Sequence, residues 1–460
     1  MKDTLTRIGI VLAAAFAVVA LTLGYWSLVE SPTLIARDDN PRRLLAEQRI
    51  ERGSILDRDG SVLAESTIDP EAGLYERIYP VPAAAPVVGY YSLRFGTSGI
   101  EDAFDAFLRG ETIRTPEEEA VDTMLGRAPV GGDVRLTLDS DLQQAATTLM
   151  AGETGALVLI NSETGAILAL DSEPLFDPNT LDEEWDALTQ DPAAPLLNRA
   201  TQSLYQPGTI LQSVIYGTAL DYHVVQLDEA WNGTLSAPVE DALLPCANLP
   251  VGVRTLYDAF VHSCPAPLIA IADRLEEENL LAAFESFGLL SAPQVPLDVS
   301  EPAETNGQPV SLAIGQGTLT TSPLQMALVS AGWSNNGRIP APYLVEAVRA
   351  PDGRWEEAEQ PGLPRGTISP ASVAAVVDMM MTSVNEGAAR GAGSPVRQVY
   401  GTVGLAVSDA EARFNSWFIG FVYMPDGTPL AVAVLLEDTS DTARAAHIGG
   451  SILLRAAAER

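Results

Sequence analysis

The sequence predicts an α+β fold: an antiparallel sheet covered by helices, preceded by one helix long enough to cross a membrane. Three observations predict it. The apolar runs 155–161 and 166–172 flank the turn Ser162-Glu163-Thr164-Gly165, and strands that are apolar throughout need a covering layer on each face. Two further apolar runs, 415–423 and 430–437, flank Pro425-Asp426-Gly427. Between these pairs, residues 210–330 carry helix-period apolar residues broken by Gly/Pro loops.

Taken in order, residues 8–29 hold no charge, enough to span the hydrocarbon core as a helix. Lys2 and Arg7 precede the run and Glu30 is the first charge after it, which places the N-terminus in the cytoplasm and the rest outside, as a single-pass protein of the cell membrane. A cleaved signal peptide is the competing reading, but the run exceeds a usual signal core and lacks a small-x-small site before Ser31. The segment from Arg52 to Ala64 reads as a hairpin about Asp59-Gly60. Residues 112–128 are acidic and read as a mobile excursion. From Asp133 the pattern is that of a compact domain, with a strand over 134–139 and a helix over 142–150. Towards the end come a helix over 370–385, a strand over 399–407 and a closing helix over 442–460. Three regions result: an anchor (1–30), a short pedestal (31–130) and a large domain (131–460).

Composition excludes some functions. The net charge of −34, from 61 acidic and 27 basic residues, argues against nucleic acid as a partner, because phosphate backbones are bound by basic patches. His223, His262 and His447 have no ligand spacing with the two cysteines, so neither a metal nor another cofactor is expected. Cys246 and Cys264 either pair or stay as buried thiols, and export to an oxidising compartment favours the pair.

One stretch organises the rest. In Tyr205-Gln206-Pro207-Gly208-Thr209-Ile210-Leu211-Gln212, Pro207 fixes φ, Gly208 permits a close turn, and Thr209 suits the N-cap of the helix that follows. Thr209 and Gln212 then share a helix face.

Residues 195–212 resemble the segment of bacterial penicillin-binding proteins that contains Tyr-x-Pro-Gly-Ser-x-x-Lys. The run from Arg52 to Ala64 resembles the Arg-Gly-x-Ile-x-Asp-Arg-x-Gly element opening the extracellular part of class B members. Residues 88–110, with their Gly-x-Glu step, and Ala313-Ile314-Gly315-Gln316-Gly317 continue the likeness. The resemblance implies a penicillin-binding transpeptidase (serine β-lactamase-like) fold and an ancestral D,D-transpeptidase activity that cross-links peptidoglycan. It further implies partnership with a SEDS-type glycan polymerase, and with other cell-wall proteins, through the anchor and pedestal.

The motif positions depart from that family. Thr209 stands at the nucleophilic serine and Gln212 at the lysine that takes its proton, and an amide is not a base. In the Ser-x-Asn position stands Ser263-Cys264-Pro265, where Pro265 suits the first turn of a helix. In the Gly-Lys-Thr-Gly-Thr-Ala frame stands Gly401-Thr402-Val403-Gly404-Leu405-Ala406, so Thr402 replaces the lysine and Gly404 is kept. A lost general base alone costs about 10²–10⁴ in rate. The expectation is a non-catalytic scaffold or regulator in cell-wall synthesis. The alternatives are residual acylation through Thr209 with another base, and a module that binds peptidoglycan stem peptide in the cleft.

Overall fold

The computed structural model describes residues 2–26, 45, 47–115, 121, 124–125, 127–239, 242–248, 252–305, 309–351, 353–359, 362–408 and 413–458. Lys2–Tyr25 is one helix, and its Thr6–Tyr25 portion is long and apolar enough to cross a membrane, with none of it buried against the rest of the chain. The last residues of the apolar run, 27–29, and part of the acidic stretch 112–128 lie outside the described residues.

Residues on both sides of position 131 share one six-stranded sheet. Its order, by residue range, is Trp355–Glu357, Val345–Arg349, Asp133–Leu136, Ile55–Leu56, Val62–Asp69 and Leu74–Ile78. The hairpin anticipated about Asp59-Gly60 is present, with Ile55 opposite Ala64 and Leu56 opposite Val62. Asp57 fixes its turn: Oδ1 accepts from the amides of Asp59 and Ser61 at 2.9 and 2.7 Å. The strand expected over 134–139 runs over Asp133–Leu136. It belongs to this sheet, pairing parallel to Ile55–Leu56 and antiparallel to Val345–Arg349. Beneath the sheet, Arg52 lies between Glu101 and Asp105, 2.6 Å from each, and Arg77 binds the other oxygen of Glu101. Both guanidinium side chains and the Glu101 carboxylate are almost fully buried, so the charges survive burial by being paired.

The second sheet has five strands in the order Val399–Val407, Phe414–Tyr423, Pro429–Leu436, Gly155–Asn161 and Ile167–Glu173, all antiparallel. Strand periodicity sends alternate residues to opposite faces. Ala156, Val158, Ile160, Trp417, Ile419, Ala431, Ala433 and Leu435 join one core, into which the helix Pro323–Ser334 packs. Leu157, Leu159, Phe418, Val432 and Val434 join the other, closed by helices Ser140–Met150 and Thr442–Ala456. Both faces are thus covered, as the uninterrupted apolar runs require. The strand Val399–Val407 is an edge of this sheet, and the helical block leans on that edge.

Candidate functional site

The segment Tyr205–Gln212 lies against the edge strand by backbone contact. Gly208 has φ +60°, and a Cβ there would fall 2.1 Å from the Leu405 carbonyl oxygen. Gly404 faces the same turn from the strand, where a Cβ would meet the amide nitrogen of Ile210 at 2.1 Å. Only glycine at both positions allows this approach. The turn is held from outside as well. Tyr205 exchanges two backbone hydrogen bonds with Thr321, 2.9 and 2.8 Å long. Its hydroxyl donates to Glu437 Oε1 at 2.6 Å, and Arg199 Nε donates to the same oxygen at 3.0 Å. Burial and the Glu437 carboxylate push the Tyr205 phenol well above its ordinary range.

Thr209 does not cap a helix. It sits within a 3-10 turn, Gly208–Leu211, and the α-helix begins at Gln212. The N-cap reading fails because the Thr209 side chain faces the edge strand, with Oγ1 accepting the Leu405 amide at 2.9 Å. Thr209 and Gln212 nonetheless face the same strand. Gln212 Nε2 donates to Thr402 Oγ1 at 2.6 Å, so the residue at the base position and the residue at the cation position bind each other. Gln212 Oε1 is buried without a partner.

Ser263 completes the group. Its Oγ lies 3.1 Å from Thr209 Oγ1 and 2.8 Å from the Val403 carbonyl oxygen. A carbonyl only accepts, so the Ser263 proton goes either to Val403 or to Thr209, and Thr209 can in turn donate to Ser263. Ser263 has φ +52°, a conformation that costs a non-glycine residue about 1–3 kcal/mol and that its surroundings must enforce. The enforcing contacts follow directly: Cys264 is disulfide-bonded to Cys246, and the Ala247 amide donates to the Ser263 carbonyl at 3.2 Å. Pro265 is the N-cap of helix Ala266–Leu275, its carbonyl accepting the Leu268 amide at 3.0 Å. It brings the group no side-chain donor. The ring of the adjacent His262 bonds Asn248 at 2.9 Å, and burial lowers its pKa. The His262 ring is thus engaged away from the group.

The structure thus brings Thr209, Gln212, Ser263, Thr402 and Gly404 together, with Pro265 and the disulfide at one border. All four motif side chains that bear polar atoms are sealed: Thr209, Gln212 and Thr402 are 0% exposed and Ser263 is 1%. A cavity of about 810 Å³ lies elsewhere, among Phe287, Val295, Ile339, Tyr343 and Leu363. Two partners were missed in the sequence reading, the Leu405 amide and the Val403 carbonyl, because backbone groups carry no sequence signal. One informative signal is compositional: Lys2 is the only lysine in the chain.

A five-stranded antiparallel sheet between helical layers, with a hydroxyl on a Pro-Gly turn at its edge strand and a serine from the helical block beside it, is the architecture of the penicillin-binding transpeptidases. The chain belongs to that family: residues 155–456 match the penicillin binding protein transpeptidase domain. Residues 52–134 match the penicillin binding protein A dimerisation domain. The chain is 32% identical to the peptidoglycan D,D-transpeptidase PbpA of Mycolicibacterium smegmatis, over 98% of this chain and 96% of that protein. Identity to PbpA of Mycobacterium tuberculosis is 30%, with the same coverage. Among solved structures it is similar to M. tuberculosis penicillin-binding protein A in its imipenem acyl-enzyme complex, with TM-score 0.80, 30% identity, and 90% and 99% of the two chains covered. It is also similar to the D,D-transpeptidase domain of an Eggerthella lenta peptidoglycan glycosyltransferase, with TM-score 0.75, 30% identity, and 88% and 99% covered.

In this chain the group offers a hydroxyl with a backbone N–H aimed at its oxygen, and a second hydroxyl that can pass a proton. Among the described residues no carboxylate, imidazole or amine hydrogen-bonds Thr209. An alcohol is a weak nucleophile unless a base takes its proton.

Proposed function

We propose that this chain is a penicillin-binding protein homologue of peptidoglycan synthesis that has lost acyl transfer, and that it acts as a membrane-anchored scaffold or regulator of a SEDS-type glycan polymerase. The observation that carries the reading is the Gln212–Thr402 hydrogen bond. It joins the two positions where the family's motifs have lysine, and it leaves Thr209 without a base. No substitute lysine is available, since the chain's one lysine, Lys2, begins the N-terminal helix. The reading is supported by an N-terminal helix of spanning length and by a pedestal with its own buried ion-pair network. The basic residues before the helix favour a cytoplasmic N-terminus, with the large domain outside.

The test is covalent labelling of the purified full-length protein by a fluorescent penicillin, beside an active family member. No label is expected on this chain. Stoichiometric label that disappears in Thr209→Ala would establish acylation through Thr209 and refute the loss of chemistry.

A further inference from the structure

A small hairpin sits over the motif strand. Its arms, Ala237–Val239 and Ala242–Leu244, pair antiparallel with Leu244 opposite Ala237. Leu244 is fully buried against Leu405 and Val407 of the edge strand, and Val239, Ala242 and Phe414 complete this apolar cluster. The hairpin is rooted in the larger core, to which Ala237 belongs and on which Val239 also packs, whereas Leu244 leaves that core to meet Leu405 and Val407 of the strand.

The residues on the strand side suit this contact. Leu405 stands where the family frame has its second threonine, so an apolar side chain faces the hairpin at a place where a hydroxyl would have been buried without benefit. Leu405 is also the residue whose amide binds Thr209 Oγ1, so the covered position and the nucleophile position are one hydrogen bond apart. The hairpin is fastened at its base to the Ser263 turn. On one side the Leu235 carbonyl accepts the Ala266 amide at 3.2 Å. On the other, Cys246 is bonded to Cys264 and the Ala247 amide donates to the Ser263 carbonyl.

We propose that this hairpin is a built-in cover of the motif strand. Its Leu244 closes the face that carries Leu405 and Val407, its base is stapled beside Ser263, and it must lift before any ligand reaches Thr209 or the strand. The inference does not rest on the missing base. A protein labelled by penicillin would refute the loss of chemistry, whereas the cover fails or stands on the exposure of one strand.

The experiment is hydrogen–deuterium exchange, read by mass spectrometry, on the full-length protein in detergent micelles. Wild type is compared with Leu244→Asp and with a variant in which residues 237–244 are replaced by a four-residue Gly/Ser linker. Local opening sets amide exchange in the native state. Exchange across 403–408 is expected to rise at least about tenfold in both variants while the central strand 429–436 keeps its wild-type protection. Unchanged exchange across 403–408 in either variant that protects 429–436 would overturn the proposal. Loss of protection at 429–436 in both variants would also overturn it, because the hairpin would then be part of the core that holds the domain together.

Discussion

If the motif pocket is dry and idle, its polar atoms are a net cost, and removing them together should stabilise the protein. The pair to change is Gln212 and Thr402, both fully buried. The native state has one hydrogen bond between them, 2.6 Å long, and one orphan, Gln212 Oε1. A neutral hydrogen bond contributes about 0.5–1.5 kcal/mol net, and a buried polar group without a partner costs about 1–3 kcal/mol. Thr402→Val strands the glutamine amide and should destabilise by about 2 kcal/mol. Gln212→Met strands the threonine hydroxyl but removes the orphan oxygen, so it should be close to neutral. The double variant has no stranded group and should be about 1 kcal/mol more stable than wild type. It departs from the sum of the single changes by about 3 kcal/mol, a large coupling for a neutral pair. Urea unfolding of residues 31–460, followed by tryptophan fluorescence at constant m-value, measures all four corners of the cycle. A double variant about 2 kcal/mol less stable than wild type, or an additive cycle, would refute the picture of an idle, dry pocket.

Three other outcomes are expected. Asp171 is buried, with Thr147 donating to Oδ1 at 2.6 Å and Oδ2 unpartnered, and burial raises its pKa to about 7. A carboxyl raised in the folded state contributes stability below its unfolded pKa that is lost as pH rises through the folded one, about 4 kcal/mol at most here. Wild type should therefore lose stability between about pH 4 and pH 7 in thermal melts and level off above that, and Asp171→Asn should flatten that slope. An unchanged slope would show that Asp171 is already ionised. The Cys246–Cys264 disulfide closes a loop of sequence separation 18, so its reduction should cost about 3 kcal/mol in the same urea titration; a midpoint unmoved by reductant contradicts this. Finally, Thr209→Ser with Gln212→Lys should show at most slow acylation by penicillin, because the new lysine is desolvated and Pro265 and Thr402 still lack the family's amide and cation. Rapid acylation of that double variant would show a cleft still built for the reaction.

Regular elements were legible wherever burial leaves a one-dimensional trace. The strands Gly155–Asn161 and Val399–Val407 and the helix Pro370–Asn385 have the bounds their apolar patterns indicate. The motif residues were legible as positions in a frame, and the structure does bring Thr209, Gln212, Ser263 and Thr402 together. What the pattern could not give was set by distant partners. The 3-10 turn at Gly208–Leu211 depends on the strand that lies against it. The arms 237–239 and 242–244 are too short to show a period, and the hairpin matters only through Leu405 and Val407, far along the chain. The membership of Asp133–Leu136 in the pedestal sheet depends on Val345–Arg349, which no local signal connects to it.

That last pairing has a consequence for how the protein is made. Asp133 and Arg349 are cross-strand partners joined by an ion pair, yet they lie 216 positions apart. At about 5–20 residues per second, the ribosome reaches the second partner roughly 10–40 s after the first. Throughout that interval the strand Asp133–Leu136 has a naked edge, and exposed strand edges invite pairing with other chains. The pedestal therefore cannot be completed as an early, self-contained unit during synthesis. Its completion waits on a segment that lies beyond both motif turns, so a chain truncated before about residue 345 should leave the cell with an aggregation-prone stub, and the interval itself is one in which a chaperone has something to hold.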